Sequence, residues 1–151
     1  MIAATAAVPA PAEDVFALLA DLAWHWRLAG GWVRVVSLER DGGVVEVRGP
    51  FGLVRRRVTT RVVTAVPDEF VEGVAQAGGT RAHVRWTLRA SGAEETEVRL
   101  EVVVEQATAL DRLLLACGGA RWLRGRFAST LDRLAVEAAR SSPPAAERAV
   151  G

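Results

Sequence analysis

Two groups of residues carry side chains able to do chemistry: the arginines Arg55-Arg56-Arg57 with Arg61 beyond them, and the aromatic connector Trp24-His25-Trp26 followed by Trp32. The arginines lie in a stretch that reads as a strand. Val54, Val58 and Val62 look like its dry face, which turns Arg56 inward and leaves Arg55, Arg57 and Arg61 in water. An inward guanidinium must meet a carboxylate, water or an anionic ligand, and Glu72 on the next strand is a partner in one register. A solvated basic strip is the plainer reading. His25 is the best acid-base candidate because its intrinsic pKa lies near neutrality, although a histidine between two tryptophans is as readily a packing residue. Trp24, Trp26 and Trp32 offer flat indoles that stack on planar polycycles and donate an N–H; otherwise they plug a gap at the sheet edge.

These residues need a scaffold, and the order of elements describes one. Ile2 to Val8 reads as a strand. Pro9 and Pro11 then open a helix whose first turn carries Glu13 and Asp14 and whose stripe is Val15, Phe16, Leu18, Leu19 and Leu22. Trp24 to Leu28 suits a second short helix, ended by Gly30-Gly31. A meander follows: Trp32 to Leu38, an Asp41-Gly42-Gly43 hairpin with a glycine at positive φ, Val44 to Arg48, a Gly49-Pro50 turn, and Leu53 to Thr64. Phe70 to Ala77, Arg81 to Ala90 and Glu97 to Gln106 complete it. Short strands joined by tight turns pair antiparallel.

The last two strands alternate most clearly. Ala82, Val84, Trp86 and Leu88 share a dry face with Val98, Leu100, Val102 and Val104, while the wet faces carry opposite charges suited to cross-strand ion pairs. His83 falls on the wet side and is not expected to act. From Thr108 to about Arg140 the pattern is helical, with Leu110, Leu113, Leu114, Cys117, Phe127, Leu131 and Leu134 on one broad face and Gly118-Gly119 marking a kink. The expected architecture is α+β: a curved antiparallel sheet of about six or seven strands around a long C-terminal helix, with an internal cavity. Residues 1–140 form this domain and 141–151 a mobile tail. Trp86, Phe127 and Cys117 point inward, as core or as cavity wall.

Composition narrows the function. Nineteen basic residues, all arginine, nearly cancel eighteen acidic ones, so the net charge of +1 supplies no general field for nucleic acid or an anionic membrane. The single Cys117 cannot form an internal disulfide, the short apolar N-terminal run has no basic residues ahead of it, and no stretch is apolar enough to span a bilayer. The expectation is a cytoplasmic protein with no signal peptide, no membrane span and no nucleic-acid partner; oligomeric state is left open. Two separated histidines and one cysteine make no metal cluster, and phosphate-binding glycine loops, nucleophile elbows and Cys-x-x-Cys pairs are absent from the sequence. No metal or cofactor is expected.

Several local marks, weak singly, occur together: Val8-Pro9-Ala10-Pro11 before Val15-Phe16 and Asp21, the aromatic connector, Arg85-Trp86-Thr87-Leu88-Arg89-Ala90, Thr96-Glu97-Val98, and Thr130-Leu131-Asp132-Arg133-Leu134. In this order the chain resembles the START-like (SRPBCC, helix-grip) superfamily, and within it the polyketide cyclase and aromatase group, over roughly residues 2–140. The resemblance implies a sheet gripping the C-terminal helix around a cavity for sterols, lipids or polyketides. It also implies an arginine inside the pocket, orienting a carbonyl or stabilising an enolate, and matches it to Arg61 with Arg57 and Thr59 on the same face. The chain's own alternation favours Arg56 instead, and a one-residue bulge would reconcile the two. Where such cyclases often carry a tyrosine near the mouth, this chain has Trp32, a far weaker proton donor.

An empty apolar void of roughly 400 Å3 would cost on the order of 10 kcal/mol, comparable to the whole stability of a small domain. A cavity of that kind has to be wet, smaller or occupied. Two functions follow: binding of an apolar small molecule, or cofactor-independent cyclisation and dehydration of a poly-β-keto chain with Arg61 or Arg56 polarising a carbonyl and His25 moving the proton. A protein-interaction domain with a vestigial cavity is a third.

Overall fold

The computed structural model describes residues 1–49 and 55–141, apart from the side chains of residues 23, 24 and 141. In chain order the elements are β1 (Ile2–Val8), α1 (Ala12–Ala20), α2 (Leu22–Ala29), β2 (Val33–Leu38), β3 (Gly42–Arg48), β4 (Arg55–Val66), β5 (Phe70–Ala77), β6 (Thr80–Gly92), β7 (Glu95–Gln106), α3 (Ala109–Leu114) and α4 (Ala120–Ser141). A π-helical segment, Leu115–Gly119, separates α3 from α4. The strands form one seven-stranded sheet in the order β1-β7-β6-β5-β4-β3-β2, antiparallel throughout. The first strand pairs with the last, and α1 and α2, between β1 and β2, pack against α4 on the apolar face of the sheet. No helix among the described residues is long and apolar enough to cross a membrane.

Alternation makes one face of the sheet apolar. On β6, Trp86 and Leu88 are buried between exposed Arg85 and Arg89; on β7, Val98 and Leu100 are buried beside Glu97 and Arg99. The outer face holds the ion pairs Arg81–Glu105 (3.4 Å) and Arg99–Glu101 (2.7 Å), and the His83 Nε2–Glu72 Oε1 contact (2.6 Å). Cross-strand ion pairs at such partly solvated sites stabilise by about 0.2–1 kcal/mol each. α4 lays Phe127, Leu131, Leu134 and Ala138 on the dry face, a helical spacing that meets Ile2, Val8, Val98 and Leu100 and forms the core with Val15 and Leu19 of α1. Thr96, fully buried, donates its hydroxyl to the Ala10 carbonyl at 2.7 Å and so ties β7 to the start of α1.

The structure bears out the kink at the glycine pair and corrects two expectations. The C-terminal helix is broken: Cys117 (φ −86°, ψ 24°) and Gly118 (φ 113°) leave the helical region, which for Gly118 carries no Cβ penalty. The break re-aims the first turns, so Leu110 and Leu113, each 60% exposed, and Leu114, 40% exposed, do not share the buried face of Phe127, Leu131 and Leu134. Finally, Gly42 needs no positive φ. Its role is close approach, since a Cβ there would sit 2.0 Å from the Thr60 carbonyl oxygen of the neighbouring strand. The Gly49-Pro50 turn, the inward Val54, the side chain of Trp24 and the tail beyond residue 141 fall outside, wholly or in part, the described residues.

Leu131 is fully buried at the centre of the α4 contact. Leu131→Ala is expected to lower the unfolding free energy by about 2–5 kcal/mol. Equilibrium urea unfolding measures it, and a loss below about 1 kcal/mol would contradict this packing.

Candidate functional site

Between the concave face of the sheet, α2 and the α3–α4 arm lies a cavity of about 630 Å3. Its floor comes from inward positions of the central strands, among them Val58 and Val62 on β4, Val84 and Trp86 on β6, and Leu100 on β7. Trp26 and Trp32 close it from the connector side, and Trp122, Leu123 and Phe127 from α4. Trp32 and Trp122 meet edge to face, their rings 5.6 Å apart at 83°. The indole nitrogens of Trp26 and Trp32 are buried without a hydrogen-bond partner among the described residues. They are covered by neighbouring atoms within the wall, so it is the ring faces and edges of the indoles that border the cavity.

His25 sits edge-on to Trp26 (5.1 Å) and Trp86 (5.3 Å), with Nδ1 3.3 Å from the Leu19 carbonyl oxygen, to which it donates when that nitrogen carries the proton. Burial among these rings lowers its pKa from 6.5 to about 4, against the smaller opposing effect of the Leu19 carbonyl. The imidazole is therefore neutral at neutral pH.

The polar corner of the cavity belongs to Arg56. Along β4, Arg56, Val58, Thr60 and Val62 share the less exposed face, while Arg55, Arg57, Thr59 and Arg61 are exposed. Arg61 borders the cavity, yet it has the wet parity, and the register shift of β4 against β5 comes after it, between Val62 and Thr64. No bulge turns Arg61 inward. The partner of Arg56 is not Glu72, whose carboxylate faces His83 and Arg85 on the outer side. It is Asp111 of α3, whose Oδ2 accepts from Arg56 Nη1 at 2.5 Å and also from the Thr80 hydroxyl.

Asp111 is 6% exposed and held from its own backbone as well: its N–H donates to the Thr108 hydroxyl at 3.2 Å, the cap of α3, and the Thr108 N–H donates to Thr80 Oγ at 3.3 Å. Burial pushes this carboxyl up, but the hydrogen bonds from Arg56 and Thr80, the Arg56 charge and the Thr108 cap more than offset it, and the net pKa is lowered. Asp111 stays ionised, and Arg56 is neutralised where it meets the cavity.

Of the residues singled out from sequence, His25, Trp26, Trp32, Arg56, Trp86, Cys117 and Phe127 converge on this cavity, and Arg61 reaches its edge. Cys117 is exposed, at the break between helices. Sequence reasoning missed Asp111, Thr80 and Trp122. The Thr108-x-x-Asp111 spacing at a helix start carries a capping signal that identifies Asp111 as locally anchored; nothing local identifies its bond to Arg56.

The sequence model of the family described as "Polyketide cyclase / dehydrase and lipid transport" matches residues 8–127. No curated protein matches the chain. Solved structures do. A protein of Thermus thermophilus is 21% identical with a TM-score of 0.70, covering 93% of this chain and 99% of its own. The Zhui aromatase/cyclase of Streptomyces sp. R1128 is 20% identical with a TM-score of 0.68, covering 95% and 96%. A START superfamily protein of Mycobacterium smegmatis is 14% identical with a TM-score of 0.58, covering 88% and 97%. At these identities the likeness is one of fold, and the fold is the START-like helix grip.

The histidine burial has a measurable consequence. The unfolded chain takes up a proton on His25 below pH 6.5 that the folded chain refuses until about pH 4, so stability falls as pH drops through that window. Asp111 acts in the same direction lower down: its stabilisation is complete above the ordinary carboxyl value of 3.8 and is lost as pH falls through its lower folded value. His25→Gln is expected to flatten the stability profile between pH 6.5 and about 4, read by urea unfolding at each pH; an unchanged slope would contradict the buried neutral imidazole.

Proposed function

The chain belongs to the polyketide cyclase, dehydrase and lipid transport family, and on that premise we propose that it binds a flat apolar small molecule, of polyketide or lipid character, inside its cavity. The observation that carries this reading is the cavity itself, about 630 Å3 with walls that are almost wholly aliphatic and aromatic. The cavity opens to solvent, so water stands over an almost wholly apolar wall, and a guest that displaces it gains hydrophobic contact. Water filling it would find few polar groups to bond along those walls. A planar guest displaces that water and stacks against the indoles of Trp26, Trp32 and Trp122. The binding unit is residues 1–140, and the proposal assigns it to the cytoplasm on its single thiol.

The second reading is a cofactor-independent cyclase. The inward Arg56 favours it, together with the fold shared with a Streptomyces aromatase/cyclase. In that chemistry a base removes a proton between two carbonyls, the enolate carbon attacks a ketone further along the chain, and water is then lost. Arg56 would polarise the ketone and His25 would take the proton, with the cavity holding the chain in one productive geometry. Two features rank it below binding. Arg56 is already engaged by Asp111, and an imidazole with a pKa of about 4 is a weak base.

Trp32→Ala and Trp122→Ala are each expected to weaken binding of a planar tricyclic phenol by about tenfold in calorimetric titration, with the fold retained. Undiminished affinity in both variants would contradict the cavity as the binding site. Turnover of a poly-β-keto thioester by the wild type, lost in Arg56→Ala, would establish the cyclase reading instead.

A further inference from the structure

Resting on the binding reading above, we propose that Asp111 sets the charge selectivity of the cavity: by neutralising Arg56 it makes the site one for uncharged ligands and closes it to carboxylates. The ionisable residues lining the cavity, among those described, are His25, Arg56, Arg61, Asp111 and Cys117. Arg61 is exposed and keeps its charge in water, and Cys117 is exposed at the helix break. His25 is packed among indoles and carries no charge at neutral pH. That leaves Arg56 as the inward cation, and its Nη1 is 2.5 Å from Asp111 Oδ2. Residues 50–54 contain no ionisable side chain.

A carboxylate entering the interior would surrender its hydration and, among the described residues, meet its inward cation already engaged by Asp111, since Arg61 stands at the exposed edge. A ketone or hydroxyl surrenders far less and needs no counter-charge in a cavity walled mostly by aliphatic and aromatic side chains. Asp111 cannot readily swing aside for an anion. The Thr80 hydroxyl and the Thr108 cap hold it, and its own helix is built on that cap. Arg56, reaching in from β4 with 34% of its side chain exposed, is thus committed to a partner within the protein rather than to a guest.

The test compares two matched planar tricyclics, anthracenemethanol and anthracenecarboxylate, by probe fluorescence at a pH where the acid is ionised. Wild type is expected to bind the alcohol more tightly than the carboxylate by about tenfold or more. Asp111→Asn releases Arg56, and the ratio is expected to shift toward the carboxylate by about tenfold or more. The double variant Arg56→Gln/Asp111→Asn lacks the same pair but is neutral, and it returns to the wild-type preference; this separates charge from any loosening of α3. Equal affinities in wild type, an unmoved ratio in Asp111→Asn, or a double variant that behaves like Asp111→Asn would overturn the inference. Should Asp111→Asn fail to fold, the wild-type ratio and the double variant decide it. Binding of neither probe by wild type would instead remove the binding reading beneath it, and the inference with it.

Discussion

A guanidinium on the concave face of an apolar sheet has to be neutralised, and here the carboxylate that does so comes from another element. Asp111 reaches Arg56 from α3, across 55 residues of sequence, and takes the Thr80 hydroxyl at the same oxygen. That one carboxylate therefore fixes α3 against β4 and the start of β6. The kink between α3 and α4 accompanies it. A straight helix from Thr108 onward would carry its leucines to the sheet along with Phe127 and Leu131; instead the chain breaks at Cys117 and Gly118, Asp111 faces inward, and Leu110 and Leu113 face out.

The same arrangement decides where the fold is solid and where it is hollow. α4 packs on β1 and β7 through Phe127, Leu131, Leu134 and Ala138, and α1 adds Val15 and Leu19, so that end of the grip is filled. Toward β3, β4 and β5 the helix is replaced by the π-helical segment and α3, which stand over the sheet without filling the space beneath. Indoles from the connector and from α4 wall this space, with Trp32 and Trp122 in contact across it. Large, rigid rings hold such a space open at little cost in side-chain entropy, which suits a preformed site.

Much of this was legible in the sequence because it is local. Period-two alternation on β6 and β7 named the dry face, tight turns made the sheet antiparallel, and parity on β4 turned Arg56 inward while Arg61 stayed with Arg57 on the exposed side. The glycine pair marked the break in the last helix. What stayed hidden was long-range. Parity says that Arg56 faces in, but it does not say which carboxylate waits there, and Glu72, nearer in sequence, proved to serve His83 on the opposite face. A helical wheel run straight through Gly118 put Leu110 and Leu113 on the core stripe, because it cannot register a change of axis. Gly42 read as a turn glycine, whereas the space it leaves is needed by the Thr60 carbonyl of the adjoining strand.

The central claim is that the guest lies inside the grip, against the indoles. The most direct measurement follows the indole N–H resonances of 15N-labelled protein during titration with a planar tricyclic phenol. The account predicts saturable shifts of the Trp26, Trp32 and Trp122 indole signals, while backbone amides of the outward-facing Val63 and Val103 stay still. Unmoved indole signals, or shifts confined to the outer face of the sheet, would contradict it.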